Sequence, residues 1–265
     1  MKKCFLAKML LRCNNLQKYK LSVNINSMQK GNNTGSLVDQ MFAVGAHYGY
    51  SKTRRHPSVK TFICATKNKT DIIDLEKTSA LLAEAEAFIK DLGSKNKMVL
   101  FVGAKPEAKE IIKKVADSLN MPYVVERWIG GTISNFSEIK KRIAELETYN
   151  KENKDGGLEK YTKKERVVMA KKMERLSKYY SGLFNLKKAP DAMFIIDSKK
   201  EHIAQTEAMK SGIPVIALVN SDSNIKNINY PIVANDTGMP SINFFADAVA
   251  NAYKAGQSSI PAEKA

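Results

Sequence analysis

Residues 97–125 read KMVLFVGAKPEAKEIIKKVADSLNMPYVV, and this stretch decides the fold class. It begins with a continuous apolar run, which is typical of a strand that is buried on both faces. The run stops at Gly103, and Pro106 then stands in the first turn of a helical segment, where its missing N–H costs little. A second apolar run, MPYVV, follows the helix. Strand, helix and strand in this order predict a right-handed βαβ unit with parallel strands.

The same alternation continues on both sides of this unit. Toward the N-terminus, the pattern predicts a helix from residue 37, a pair of strands in FICAT and DIIDL, and a helix that ends at a C-cap glycine, Gly93. Toward the C-terminus it predicts a strand at DAMFIID, a helix at KEHIAQTEAMKSG, a strand at IPVIALVN and a closing helix at PSINFFADAVANAYKAG. The predicted fold class is therefore α/β: a mainly parallel, Rossmann-like sheet sandwiched by helices.

A helical insertion, residues 134–189, interrupts the alternation. Apolar residues recur at spacings of three and four in two long segments, which flank the polar stretch NKENKDGGLEKY. We expect a protruding antiparallel coiled-coil hairpin in which each apolar stripe is buried only against the other. The predicted organisation is a disordered basic extension (1–36), an α/β domain (37–133 plus 190–255), the hairpin (134–189) and a flexible tail (256–265).

The net charge indicates a polyanionic partner. The chain has 265 residues, with 43 Lys and Arg against 27 Asp and Glu, which gives a formal net charge of +16. Such a field attracts nucleic acid or an anionic membrane surface, but the positive charge is spread along the chain and no apolar run is long enough to span a membrane. Three cysteines without a CxxC pair and three scattered histidines predict neither a disulfide framework nor a metal site.

The first 36 residues contain seven of the basic residues and no acidic one. They could be an organellar transit peptide, a poorly ordered tail, or sequence upstream of a start at Met28. Removing their seven charges from +16 leaves +9, so the rest of the chain is basic as well.

The strongest local charge signal lies in residues 47–70, HYGYSKTRRHPSVKTFICATKNKT, which we call the basic segment. It contains six Lys and Arg and no acidic residue, and it interleaves these cations with Tyr48, Tyr50 and Phe62. Cations bind phosphates and aromatic rings stack on unpaired bases, so RNA contact is favoured over a merely solvated loop. The predicted RNA-binding residues, including four near and on the insertion, are Lys52, Arg54, Arg55, Lys60, Lys67, Lys69, Arg127, Lys140, Lys141 and Arg142.

An enzyme acting on a phosphorylated metabolite is the alternative hypothesis. Gly103-Ala104-Lys105 follows a strand and precedes a helix, where a Rossmann enzyme binds pyrophosphate, but the G-x-G-x-x-G and P-loop glycines are missing. Asp71, Asp74, Asp197 and Asp222 lie near predicted strand ends, where helix capping and loop hydrogen bonds are their commoner roles. We predict no catalytic residue, no cofactor and no metal.

Several motifs together resemble one family. GAHYGYSKTRRHP, IIDLEKT, VLFVGAKPEAKEI, PYVVERWIGGTISNF and PDAMFIID resemble, in this order, the landmarks of small-subunit ribosomal protein two of the bacterial type, over residues 37–255. The resemblance implies a structural, non-enzymatic protein with a coiled-coil hairpin that binds small-subunit rRNA at the head–body junction, beside neighbouring ribosomal proteins. It also implies a cytoplasmic, ribosome-bound protein that has no membrane contact and is not a free homo-oligomer; an organellar ribosome is the alternative.

Within ERWIGGTISNF, residues 126–136, the chain passes from the sheet to the hairpin. We expect Gly130 and Gly131 to allow a sharp change of direction, Arg127 to face phosphate, and Trp128 either to anchor the hairpin or to stack on RNA. The sequence departs from the family pattern at Arg55-His56-Pro57, at residues 220–223 and at residues 233–237.

Overall fold

The structure is a computed structural model and describes residues 36–154, 161–186 and 188–258. The predicted basic extension, apart from Ser36, and residues 259–265 of the predicted tail lie outside the described residues. The helices are α1 (Leu37–Ala43), α2 (Leu75–Ser94), α3 (Pro106–Leu119), α4 (Phe136–Lys154), α5 (Lys163–Tyr180), α6 (His202–Lys210) and α7 (Met239–Ser258). The strands are β1 (Tyr48–Ser51), β2 (Ile63–Lys67), β3 (Thr70–Ile73), β4 (Val99–Val102), β5 (Tyr123–Val124), β6 (Ala192–Ile196), β7 (Val215–Val219) and β8 (Tyr230–Val233).

A five-stranded parallel sheet forms the centre of the fold. Its strand order is β5-β4-β6-β7-β8, and every pair of neighbours is parallel, as the α/β prediction requires. All residues of β4, β6 and β7 are buried, which explains their continuous apolar runs. The edge strand β8 was not predicted, because it is short and contains Pro231, a residue that is tolerated at a sheet edge.

Helices cover both faces of this sheet. Phe101 and Phe194 face a core made with α2, α3 and α7, whereas Leu100 and Met193 face a second core made with α6 and the bases of α4 and α5. Pro106 opens α3 as predicted. The prediction that Gly93 caps α2 is wrong, because Gly93 lies inside the helix. A Cβ on Gly93 would collide with the Tyr253 carbonyl oxygen of α7. The glycine therefore permits a close approach of two helices.

A second, antiparallel sheet precedes α2. Its order is β1-β3-β2, so FICAT and DIIDL pair as predicted, while β1 within the basic segment was not predicted. The turn between β2 and β3 consists of Asn68 and Lys69, which have φ values of 49° and 65°. Two consecutive left-handed residues are the requirement of a tight hairpin turn. Lys67 and Lys69 are exposed at this end of the hairpin.

The insertion contains two long helices, α4 and α5, whose apolar stripes are buried at Ile139, Ile143, Met173 and Tyr180. Glu145 on α4 forms an ion pair with Lys172 on α5, so the helices contact each other. The expectation that the stripes are buried only against each other is wrong at their bases. Ile139, Ile143 and Tyr180 belong to the same apolar cluster as Leu100 and Met193 of the sheet.

Candidate nucleic-acid interface

The basic segment presents most of its cations to solvent. It consists of β1, two short 3₁₀ turns (Lys52–Arg54 and Pro57–Phe62) and β2 with its turn. The exposed predicted RNA-binding residues in it are Lys52, Arg54, Lys60, Lys67 and Lys69. The Arg54 guanidinium lies 5.9 Å from the centre of the half-buried Tyr50 ring, and Tyr48 is 55% exposed. A segment that carries both exposed cations and an exposed aromatic ring suits phosphates and unpaired bases together.

Arg55 is engaged inside the protein. Its Nε donates to Asp71 Oδ2 at 2.7 Å, its Nη2 donates to Asp71 Oδ1 at 2.5 Å, and Thr66 Oγ1 donates to the same carboxylate at 2.8 Å. Asp71 is fully buried, and the hydrogen bond from Arg55 holds the pKa of its carboxyl below the ordinary value. This bidentate pair attaches the basic segment to β3. Arg55 therefore differs in role from the neighbouring Arg54.

Loops at the carboxyl edge of the central sheet hold the backbone of the basic segment. Ser221, which follows β7, accepts from the Tyr50 N–H through its Oγ at 2.9 Å and from the His56 N–H through its carbonyl at 2.8 Å. Asn235, which follows β8, donates from Nδ2 to the Gly45 carbonyl at 3.1 Å. Ser221 is fully buried and Asn235 nearly so. We call these two loops, residues 220–225 and 234–237, the seat of the basic segment.

A buried ionic cluster lies beside the seat. Lys105 Nζ is 2.6 Å from Asp236 Oδ2 and 2.8 Å from Asp197 Oδ2, and Asn220 Nδ2 donates to Asp236 Oδ1 at 2.9 Å. Burial on its own lowers the pKa of the Lys105 ammonium, but the charge of Asp236 and the hydrogen bonds to both aspartates raise it by more. The net pKa is above the ordinary value, so Lys105 remains protonated. Each of these residues follows a strand of the parallel sheet, so their meeting at one edge is a consequence of the topology.

This cluster occupies the place where an α/β enzyme binds its ligand. The chain changes direction across the sheet between β4 and β6, and Lys105 and Asp197 bridge the two loops at that point. Near Ala104, whose N–H in a nucleotide site would face a phosphate, lies the buried Glu201 carboxylate, and burial raises the pKa of this carboxyl above its ordinary value. Gly103 is needed for packing, since a Cβ there would lie 3.0 Å from Ile112 Cγ1. The crevice is filled by the protein's own side chains.

The turn after β5 is held by α6. Gly131 has a φ of +92°, and its N–H donates to Glu207 Oε1 at 2.6 Å, while the Ile133 N–H donates to Glu207 Oε2 at 3.2 Å. The predicted change of direction at this glycine is therefore present. Trp128 is buried in the cluster that includes the base of the insertion, so of the two alternatives the structure shows the packing role.

The four predicted RNA-binding residues outside the basic segment are all exposed: Arg127, Lys140, Lys141 and Arg142. Lys141 and Arg142 form ion pairs with Glu138 and Glu145 on the same helix. Exposed pairs of this kind cost little to break, so the two cations stay accessible to a phosphate.

Sequence reasoning missed the seat. Asp197 and Asp222 were assigned loop roles, and Asp197 does accept from the Lys199 and Lys200 N–H groups, each at 3.1 Å. For the other residues of the seat the sequence gives only a weak signal. Ser221 and Asn235 are ordinary loop residues, and their hydrogen-bond partners lie far away in the chain. Only the general rule that ligands and polar groups gather at the carboxyl edge of a parallel sheet pointed to them.

In the part of the chain that the structure describes, no group of three or more His, Cys, Asp and Glu side chains is arranged to hold a metal ion. No helix in residues 36–154, 161–186 and 188–258 is both long and apolar enough to cross a membrane.

Comparison with known sequences places this chain in one class, the protein constituents of ribosomes. The family described as Ribosomal protein S2 matches residues 41–256, and the chain belongs to this family. It is 38% identical over 227 residues to the small ribosomal subunit protein uS2 of Wolinella succinogenes, covering 86% of this chain and 84% of that protein. It is 40% identical over 221 residues to the protein of the same name from Helicobacter hepaticus, covering 83% and 84%.

Proposed function

We propose that the protein is a structural, non-enzymatic constituent of the small ribosomal subunit and supports translation by binding small-subunit rRNA through its basic segment. The observation that carries the proposal is the set of five exposed cations on a segment without an exposed carboxylate, in a chain of the ribosomal protein S2 family. Polyanion backbones are bound by such arrays, with a strong dependence on salt. The cytoplasmic ribosome is the proposed location.

The direct RNA contacts in this proposal are Lys52, Arg54, Lys60, Lys67 and Lys69, with Arg127, Lys140, Lys141 and Arg142 at the base of the insertion. Arg55 supports them indirectly, because its guanidinium is committed to Asp71. The insertion, residues 134–189, would act as a coiled-coil hairpin that reaches neighbouring ribosomal proteins. Val167 and Val168 on α5 are 50% and 60% exposed, which leaves apolar surface for such a protein contact.

The alternative, an enzyme for a phosphorylated metabolite, has no support in the relatives, which are ribosomal proteins by name. The Lys105–Asp197–Asp236 cluster also fills the crevice that a phosphate would need.

Sedimentation with small ribosomal subunits tests the proposal. The full chain should co-migrate with subunits that a salt wash has depleted of this protein, and high salt should release it. A variant with Lys52, Arg54, Lys67 and Lys69 all changed to Ala should bind weakly. The charge-matched control changes four exposed lysines elsewhere, Lys90, Lys113, Lys114 and Lys254, and should bind like the parent. Equal binding by the two variants would contradict the assignment of the basic segment.

A further inference from the structure

We propose that the seat, together with the ionic cluster beside it, fixes the basic segment in its RNA-binding conformation before RNA arrives. Ser221 in the seat and Lys105 in the cluster are then positioning residues for RNA binding, although neither reaches the RNA. The inference rests on the proposed function, since it concerns how the same segment binds. It assigns a task to the buried polar groups at the carboxyl edge of the sheet, which catalysis would otherwise be expected to use.

The first support is the spacing of the backbone attachments. The seat binds the segment and its approach at Gly45, Ala46, Tyr50, His56 and Ser58. The attachments are the Asn235 N–H to the Ala46 carbonyl at 2.9 Å, the Ile225 N–H to Ser58 Oγ at 3.3 Å, and the Ser221 and Asn235 bonds given above. They bracket Lys52, Arg54 and Arg55 on both sides. The 3₁₀ turn that carries Lys52 and Arg54 is therefore held on both sides by hydrogen bonds to the seat.

The second support is a stack of groups that leads from the sheet edge to an exposed cation. Lys105 Nζ lies 6.0 Å from the centre of the Tyr50 ring, and the Arg54 guanidinium lies 5.9 Å from the same centre. Lys105 is itself held by Asp197 and Asp236. A cation near an aromatic ring is attracted by the ring's quadrupole, so Tyr50 links the buried cluster to Arg54.

The third support is that the ionic cluster of Lys105, Asp197 and Asp236 beside the seat has little binding capacity left for a ligand, although Asp222 Oδ1 and Ser223 Oγ in the seat are buried without a hydrogen-bond partner. The three N–H groups of Lys105 face three oxygens: Asp236 Oδ2, Asp197 Oδ2 and the Asp236 carbonyl at 3.3 Å. Asn220 connects the groups, since its Oδ1 accepts from the Ser221 N–H at 2.7 Å and its Nδ2 donates to Asp236. Saturated polar networks of this kind make a region rigid and specify one conformation.

The physical gain comes from conformational entropy. Of residues 52–69, Val59 alone is buried, so the segment has almost no core of its own to hold it. A segment that had to become ordered on contact with RNA would lose affinity for every residue that it immobilised. Because the seat orders the segment during folding, this loss of conformational entropy does not reduce the affinity of its cations for RNA.

Ser221→Ala separates positioning from charge, because it removes one acceptor for the Tyr50 N–H and no surface cation. We expect a loss of about three- to tenfold in affinity for the depleted subunits, since one hydrogen bond of the seat is lost. The slope of log affinity against log salt should stay at the parent value, because the same number of phosphates is contacted. Amide hydrogen exchange of residues 50–58 in the free full-length protein should be faster.

Ser58→Ala removes the acceptor for the Ile225 N–H from the basic-segment side of the contact, so it is a milder second variant and should act in the same direction. Tyr253→Phe is the matched control, because it also removes one hydrogen bond and no charge. The buried Tyr253 hydroxyl donates to the Lys97 carbonyl at 2.8 Å at the opposite, amino edge of the sheet, so its loss destabilises the domain without touching the seat. The control should bind subunits like the parent.

Three results would overturn the inference: parental affinity for Ser221→Ala despite faster exchange at residues 50–58, a fall in its salt slope, or an equal loss of affinity in Tyr253→Phe. Unchanged binding by the variant that lacks Lys52, Arg54, Lys67 and Lys69 would instead overturn the proposed function. The two failures are thus distinguishable.

Discussion

At the scale of single residues, two adjacent arginines have different tasks. Arg54 is exposed beside Tyr50, whereas Arg55 is bound bidentately by the fully buried Asp71. Nothing in the letters RR distinguishes them, because the difference depends on a carboxylate that lies 16 positions further along the chain. Two substitutions and one pH series separate the two roles.

Arg54→Ala should lower the salt slope of subunit binding by about 0.9 log units, if one phosphate contact is lost and duplex DNA is a fair guide to RNA. Its unfolding free energy should stay near that of the parent. Arg55→Ala should instead lower the unfolding free energy by about 2–3 kcal/mol, because it leaves a buried carboxylate without its cation. Subunit binding over a salt series and urea unfolding measure the two effects, and exchanged outcomes would reverse the assignment.

The Arg55–Asp71 pair also predicts a dependence on pH. The Asp71 pKa is lowered in the folded protein from its ordinary value of 3.8, so the pair contributes its full stability above about pH 4. That contribution is lost as the pH falls through the folded pKa. Urea unfolding of the parent and of Asp71→Asn should therefore differ at pH 7 and converge toward pH 2. Asp91→Asn, in an exposed pair with Lys95, should match the parent throughout.

At the scale of elements, the insertion divides into a base and a distal part. Ile139, Ile143 and Tyr180 at the base pack into the core of the sheet. Beyond them, the ion pair between Glu145 and Lys172 joins the two helices directly to each other. The part of the insertion that does not contribute to the core of the sheet therefore begins inside the helices and not at residue 134.

Two deletions test this boundary. Replacing residues 147–170 with a short Gly/Ser linker should leave a folded protein with nearly parental thermal stability. Replacing 138–180 should strongly destabilise it, since each large buried side chain that is removed costs about 2–5 kcal/mol. Trp128, the chain's one tryptophan, packs in the affected cluster, so a red shift of its fluorescence reports the damage. A native spectrum after the longer deletion would show that the base is dispensable.

The elements also show what the sequence could reveal about the fold. The runs at β4, β6 and β7 were predicted because strands buried on both faces are apolar throughout. β1 was missed because its residues YGYS lie in a polar, basic context, and its pairing with β3 depends on partners 19 and 24 residues further along the chain. Gly93 was assigned to a helix end because glycine is common there. The structure shows that glycine is needed at this position because the α7 backbone packs against it, and this contact cannot be read from the local sequence.

At the scale of the whole molecule, an α/β fold of the kind that enzymes use has its ligand crevice closed. The candidate site could be predicted as a charge signal, because six cations without a counter-charge are visible in any sequence. The residues that shape it, such as Ser221 and Ile225, could not, since they meet the basic segment only through the topology of the sheet.

The closed crevice predicts that free nucleotides find no specific site. Calorimetric titration of the full chain with ATP, GTP or NAD at near-physiological salt should give weak binding without defined stoichiometry, and added salt should abolish it. The expectation follows from Lys105, which is paired to Asp197 and Asp236, and from the missing glycine fingerprint. A saturable 1:1 micromolar site would return the enzyme hypothesis to consideration.

The seat has a consequence for the order of synthesis. Ser221 is 171 positions later in the chain than Tyr50, and Asn235 is 190 positions later than Gly45. At roughly 5–20 residues per second, the basic segment is made about 10–40 s before the loops that hold it. During that interval the nascent chain carries its cations on an unanchored segment, and proteases that cleave after Lys and Arg should cut it there far faster than in the finished protein. Only a chain translated almost to its end gains the anchored form, so incomplete copies are poor competitors for the RNA.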